Sequence, residues 1–116
     1  MLVTLSYRLG LLGFWTHAEL TQQQPEHPTN FGLLDQRAAL LWLQKYISYF
    51  GGDPKRVTVF GESAGAISIL HHLTSDSMTT RLPIIHGQPT PLFQKAIIQN
   101  AVASESDYLY LANAEV

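Results

Sequence analysis

One five-residue stretch, Gly61-Glu62-Ser63-Ala64-Gly65, has the residue types and spacing for chemistry. A serine flanked at two positions on each side by glycine suits a sharp turn from a strand into a helix. At the tip of such a turn the hydroxyl is exposed. The helix start aims its free N–H groups and the positive end of its dipole at the same spot. That is the arrangement of a serine nucleophile for acyl transfer. The N–H of the residue after the serine, Ala64, would hold the oxyanion of the tetrahedral intermediate. The plain alternative is a glycine-rich turn with no chemistry. A phosphate-cradling loop fits less well, because the spacing matches neither G-x-G-x-x-G nor the lysine-bearing loop.

The elements around this turn read as the setting it needs. Val57-Thr58-Val59-Phe60 is an apolar strand running into it, and Ala64 to about Leu73 leaves it as a helix, with Ile67, Leu70 and His71 toward one side. Upstream, Leu2 to Tyr7 reads as a buried strand. Gly10 to about Asn30 reads as a long loop, with His17 and His27 facing solvent. Gly32 to Tyr49 has helical spacing at Leu40, Leu43, Ile47 and Phe50, with Gln36, Arg37, Gln44 and Lys45 polar. Gly51-Gly52 stops that helix and Asp53-Pro54 makes a turn. Downstream, Thr74 to Leu92 reads as loop, Lys95 to Gln99 as a strand, and Ser104 to Val116 as a short helix. Trp42, Tyr46 and Phe50 read as core or sheet cover. Strands that are apolar throughout and alternate with helices predict an α/β fold with parallel strands covered on both faces.

Composition excludes several other functions. The chain has 116 residues, one small domain's worth, with 46% hydrophobic and 14% charged residues. A net charge of −2 and no basic run argue against a nucleic-acid surface. No apolar run is long enough for a transmembrane helix. With no cysteine, neither a disulfide nor a thiolate nucleophile can form within the chain. The few charges point to a piece of a larger protein.

The motifs resemble the type-B carboxylesterases, the α/β-hydrolases that include cholinesterases and cholinesterase-like lipases. The resemblance runs from Leu2 to about Gln99. It is carried by Ser6-Tyr7-Arg8-Leu9-Gly10, by Asn30-Phe31-Gly32-Leu33-Leu34-Asp35-Gln36-Arg37, by Phe50-Gly51-Gly52-Asp53-Pro54, by Val57 through Ala66, and by Leu92 through Ile97. Departures stand at Ser6, where the family has Asn, at Thr29, where it has Gly, and at Asn100-Ala101, where it has Ser-Gly. The resemblance implies Ser63 as nucleophile, Ala64 as oxyanion donor and Glu62 as a negative neighbour of the site. It implies a buried structural ion pair between Arg8 and Asp35. It also implies a small-molecule or lipid ester as substrate, no metal or cofactor, and a secreted or lumenal protein.

In that family the triad acid and histidine lie roughly a hundred or more residues beyond the serine, in the order serine, acid, histidine. His71 does not replace that histidine. Eight positions along the helix put it about 12 Å away. His86 has only Asp76 as an acid between it and the serine. The expectation is therefore a partial α/β-hydrolase domain over residues 1–116, truncated at both ends, with a nucleophile that is inactive alone. The rival expectations are a cholinesterase-like binding protein without catalysis and a non-functional partial gene product.

Overall fold

The computed structural model describes residues 1–23, 30–75, 84–85 and 88–101. His27, Asp76, His86 and the helix expected over Ser104–Val116 lie outside the described residues. The chain forms two compact units, Met1–Gly52 and Asp53–Val116.

In the first unit the expected strand over Leu2–Tyr7 is absent. These residues form no regular element, and Leu2, Val3 and Leu5 are exposed. An apolar run becomes a strand only when a neighbour takes up its N–H and C=O groups, and no described strand pairs with it. The expected loop after Gly10 contains two short helices, α1 (Gly10–Phe14) and α2 (Ala18–Gln23). Helix α3 then spans Phe31–Tyr46 and tightens into a 3₁₀ turn over Ile47–Phe50. Its sequence holds five Leu, two Ala and two Gln, all strong helix formers. The stop is where the glycines predict it. Gly51 has φ 80°, and the N–H groups of Gly51 and Gly52 close onto the carbonyls of Ser48 and Ile47.

The buried stripe of α3 is Gly32, Gln36, Leu40 and Gln44, continued by Ile47. Two positions expected at the surface, Gln36 and Gln44, are therefore inside, and Phe50 is outside. On a helix with apolar residues nearly all round, periodicity does not identify the buried face. Buried amides are tolerated when they find partners, and both do. Trp42 and Phe50 are 46% and 60% exposed, so they are not core. Trp42 packs on Tyr46 and Phe50 with ring centroids 5.5 and 6.0 Å apart, forming a surface row.

The second unit is a strand–helix–strand arrangement. β1 (Thr58–Glu62) pairs in parallel with the later strand Lys95–Gln99, and helix α4 (Ala64–Thr74) lies between them in sequence and packs on both. Two-residue strands β2 (Ile84–Ile85) and β3 (Gln88–Pro89) form a small antiparallel pair within the stretch expected to be loop. The strand at Lys95–Gln99 is thus β4. Its register with β1 runs from Thr58 opposite Lys95 to Glu62 opposite Gln99. Gln94 pins the entry: its side-chain Oε1 accepts the Val57 N–H at 2.7 Å, and its own N–H donates to the Val57 carbonyl at 3.0 Å. The parallel α/β class is as expected.

Within this unit α4 packs on the face that carries Gly61 and Ile98, while Phe60 and Ile97, partners on the other face, are exposed; Ile98 is only partly covered. The core of this unit is Val57, Ala66, Ile69 and Leu92. The inner face of α4 carries Ala66, Ile69 and His72, not the Ile67, Leu70 and His71 stripe expected from the sequence. On so apolar a helix several faces could turn inward, and contact with the sheet chooses among them.

Candidate active site

The candidate nucleophile sits where β1 ends and α4 begins. Ser63 has φ 52° and ψ −120°, a region that L-residues avoid. Two backbone hydrogen bonds hold it there. Its N–H donates to the Gln99 carbonyl on β4 at 3.0 Å, and its carbonyl accepts the Ile67 N–H at 3.0 Å. The first N–H groups of α4, those of Ala64, Gly65 and Ala66, have no acceptor within the helix. Ser63, Ala64 and Glu62 are all exposed. A hydroxyl standing beside unsatisfied N–H donors is what acyl transfer needs.

The two elbow glycines are not equivalent. A Cβ on Gly61 would meet the backbone of Gly65 at 2.6–2.7 Å and the Ala66 nitrogen at 2.9 Å. A Cβ on Gly65 meets nothing within 4 Å. The close approach of strand and helix that the motif suggests thus rests on Gly61 alone.

The carboxylate of Glu62 takes no hydrogen bond from a described residue and faces solvent beside Ser63. The histidines of α4 lie away from the elbow. His71 and His72 are in the last turn of the helix, with His72 buried. Among the described residues no group of three or more His, Cys, Asp or Glu side chains could hold a metal ion. No described helix is long and apolar enough to cross a membrane.

Arg8 and Asp35, both in the first unit, form a forked pair. Arg8 Nε donates to Asp35 Oδ2 at 2.8 Å and Nη2 to Oδ1 at 2.7 Å, while the Arg8 backbone N–H adds a third bond to Oδ2 at 3.0 Å. The Arg8 guanidinium also lies 5.1 Å from the centre of the Phe31 ring. The pair ties the irregular N-terminal segment to α3. It is more open than the resemblance implies, with side chains 51% and 27% exposed. The Arg8 side-chain bonds, and after them its backbone N–H, pull the Asp35 pKa down to about 2. A carboxylate with a lowered folded pKa adds stability above its unfolded value, near 4, and loses it as pH falls through the folded value. We expect the urea midpoint of the protein to fall more steeply between about pH 4 and pH 2 than that of Asp35→Asn. Parallel curves would show that the pair contributes nothing.

Sequence reasoning missed Gln99, whose carbonyl accepts the N–H of the candidate nucleophile, and the positive φ of 51° at Asn100. An asparagine directly after a strand is a signal for left-handed backbone and could have pointed to it.

Comparison with known proteins places the chain in a family. The carboxylesterase family profile matches residues 1–111. Over 100 residues the chain is 49% identical to acetylcholinesterase of Bungarus fasciatus, covering 86% of this chain and 14% of that protein. Pyrethroid hydrolase Ces2e of Rattus norvegicus is 45% identical over 104 residues, covering 89% and 15%. Fumonisin B1 esterase of Sphingopyxis macrogoltabida is 53% identical over 76 residues, covering 65% and 14%. The chain spans about one seventh of the length of these relatives. With the profile covering nearly all of it, the chain belongs to the carboxylesterase family.

Proposed function

We propose that Ser63 is the nucleophile of a carboxylic ester hydrolase. The observation that carries this reading is the backbone of Ser63: φ 52° at the junction of a parallel strand and a helix start, with the residue exposed. In the reaction Ser63 Oγ attacks the ester carbonyl and its proton passes to a base. The oxyanion forms beside the Ala64 N–H, the alcohol leaves, and water then releases the acid from the acyl-enzyme. Glu62 adds negative potential beside the nucleophile, and Arg8–Asp35 serves structure. No cofactor enters. The substrate class is a small-molecule or lipid ester, and the names of the three relatives above, one cholinesterase, one pyrethroid hydrolase and one esterase, support it.

Base and triad acid come from polypeptide outside residues 1–116, which form part of a larger α/β-hydrolase domain. By themselves these residues are inactive, since a serine without its base is a poor nucleophile at neutral pH. The test is labelling of native cell extract and secreted protein with a fluorophosphonate probe, followed by peptide mass spectrometry. The peptide carrying Ser63 is expected to be modified. An unlabelled Ser63 peptide, in extract where other serine hydrolases react, would overturn the proposal in favour of a binding role without catalysis.

A further inference from the structure

We infer that Asn100 is a positioning residue for the nucleophile, acting through its left-handed backbone. The inference rests on the reading of Ser63 as nucleophile. In a parallel ladder, a residue's N–H reaches the carbonyl of the residue before its partner. The bond from Ser63 N–H to the Gln99 carbonyl, together with the pairing of Glu62 with Gln99, therefore sets Ser63 opposite Asn100. Both residues are exposed, at the carboxyl ends of neighbouring parallel strands, where ligands meet α/β sheets.

Both also have positive φ, 52° at Ser63 and 51° at Asn100. Among the described residues only one other non-glycine residue has positive φ, Asn30 at the start of α3. Two such residues side by side mark a paired constraint. The orientation of the Gln99–Asn100 peptide is set by ψ of Gln99 and φ of Asn100. That peptide carries the carbonyl that accepts the Ser63 N–H. If Asn100 relaxed to negative φ, the carbonyl would swing and Ser63 would lose one of the two backbone bonds that hold its own strained conformation. Asparagine is the residue type other than glycine that bears this conformation most readily. Its carboxamide makes no hydrogen bond to a described residue, which places the role in the backbone.

The experiment uses the full gene product with Asn100→Val, Asn100→Ala, Asn100→Gly and Ser63→Ala. Measured are kcat and KM for p-nitrophenyl butyrate, the rate of Ser63 phosphonylation, and the melting curve. A β-branched residue resists left-handed backbone, so Asn100→Val should lower kcat by about tenfold and slow phosphonylation in proportion. KM should stay within about twofold, because misaligned and aligned elbows bind substrate alike. Asn100→Gly bears positive φ freely and should retain both rates within about twofold. If Asn100→Val does not fold, Asn100→Ala carries the test, with a loss of about threefold that Asn100→Gly does not show. Wild-type kcat in folded Asn100→Val or, where Val does not fold, in Asn100→Ala would overturn the inference. So would a loss in Asn100→Gly as large as that of the bulkier variant, since the carboxamide would then be the active part. Hydrolysis that survives Ser63→Ala would overturn the underlying reading, whatever the Asn100 variants do.

Discussion

Ser63→Ala is expected to lower ester hydrolysis by the full gene product by roughly 10⁴-fold or more, with little change in stability. In the proposed mechanism the Oγ forms the acyl-enzyme, and alanine would leave only the oxyanion donors and the bound substrate to assist water. The side chain is exposed and makes no hydrogen bond to a described residue, so its removal opens no cavity. Ser68→Ala is the matched control. That hydroxyl lies one turn along α4 and donates to the Ala64 carbonyl at 2.9 Å, a bond whose loss should leave hydrolysis within about threefold. The comparison is made on a butyrate ester with both variants at equal folded concentration. Retained hydrolysis in Ser63→Ala would remove the serine from the chemistry.

Gly61→Ala is expected to damage the same site without touching the hydroxyl. The added methyl meets three backbone atoms of the first turn of α4, all closer than 3.0 Å. Backbone cannot rotate aside as a side chain does, so strand and helix must separate. We expect a loss of about 3 kcal/mol of stability and loss of Ser63 labelling. Gly65→Ala serves as contrast. Its methyl projects into open space, and alanine is the better helix former, so its stability should change by no more than about 1 kcal/mol, in the favourable direction. Equal urea midpoints for Gly61→Ala and the unsubstituted protein would show that the close approach is not needed.

The contrast between these glycines shows how far the motif alone reaches. G-x-S-x-G announces a strand-to-helix turn because each local demand is met by a local residue type: apolar Val57–Phe60 before it, helix formers after it, glycine where a side chain would collide. Which glycine is needed depends on how α4 lies across β1, and that is a matter of packing. The stop at Gly51 and the strand at Lys95–Gln99 were legible for the same reason. The first needs only a residue that accepts positive φ, and the second a short apolar run between breakers.

Other features depend on partners far away in the chain. Leu2–Tyr7 has the composition of a strand, but pairing belongs to two segments and no described strand meets it. Gln36, Gln44 and His72 are polar by type and buried by position, since a helix apolar on most sides can turn any of several faces inward. The same holds for the site. Spacing picks out Ser63 and the neighbouring Ala64 as candidates, because a strand-to-helix turn and hydroxyl chemistry are local properties, and the resemblance of whole motif blocks points to the family. That the Gln99 carbonyl holds the serine, and that Asn100 stands opposite it, follows from the register of two strands more than thirty residues apart. Such register is set by hydrogen bonds and packing that form only when the chain folds.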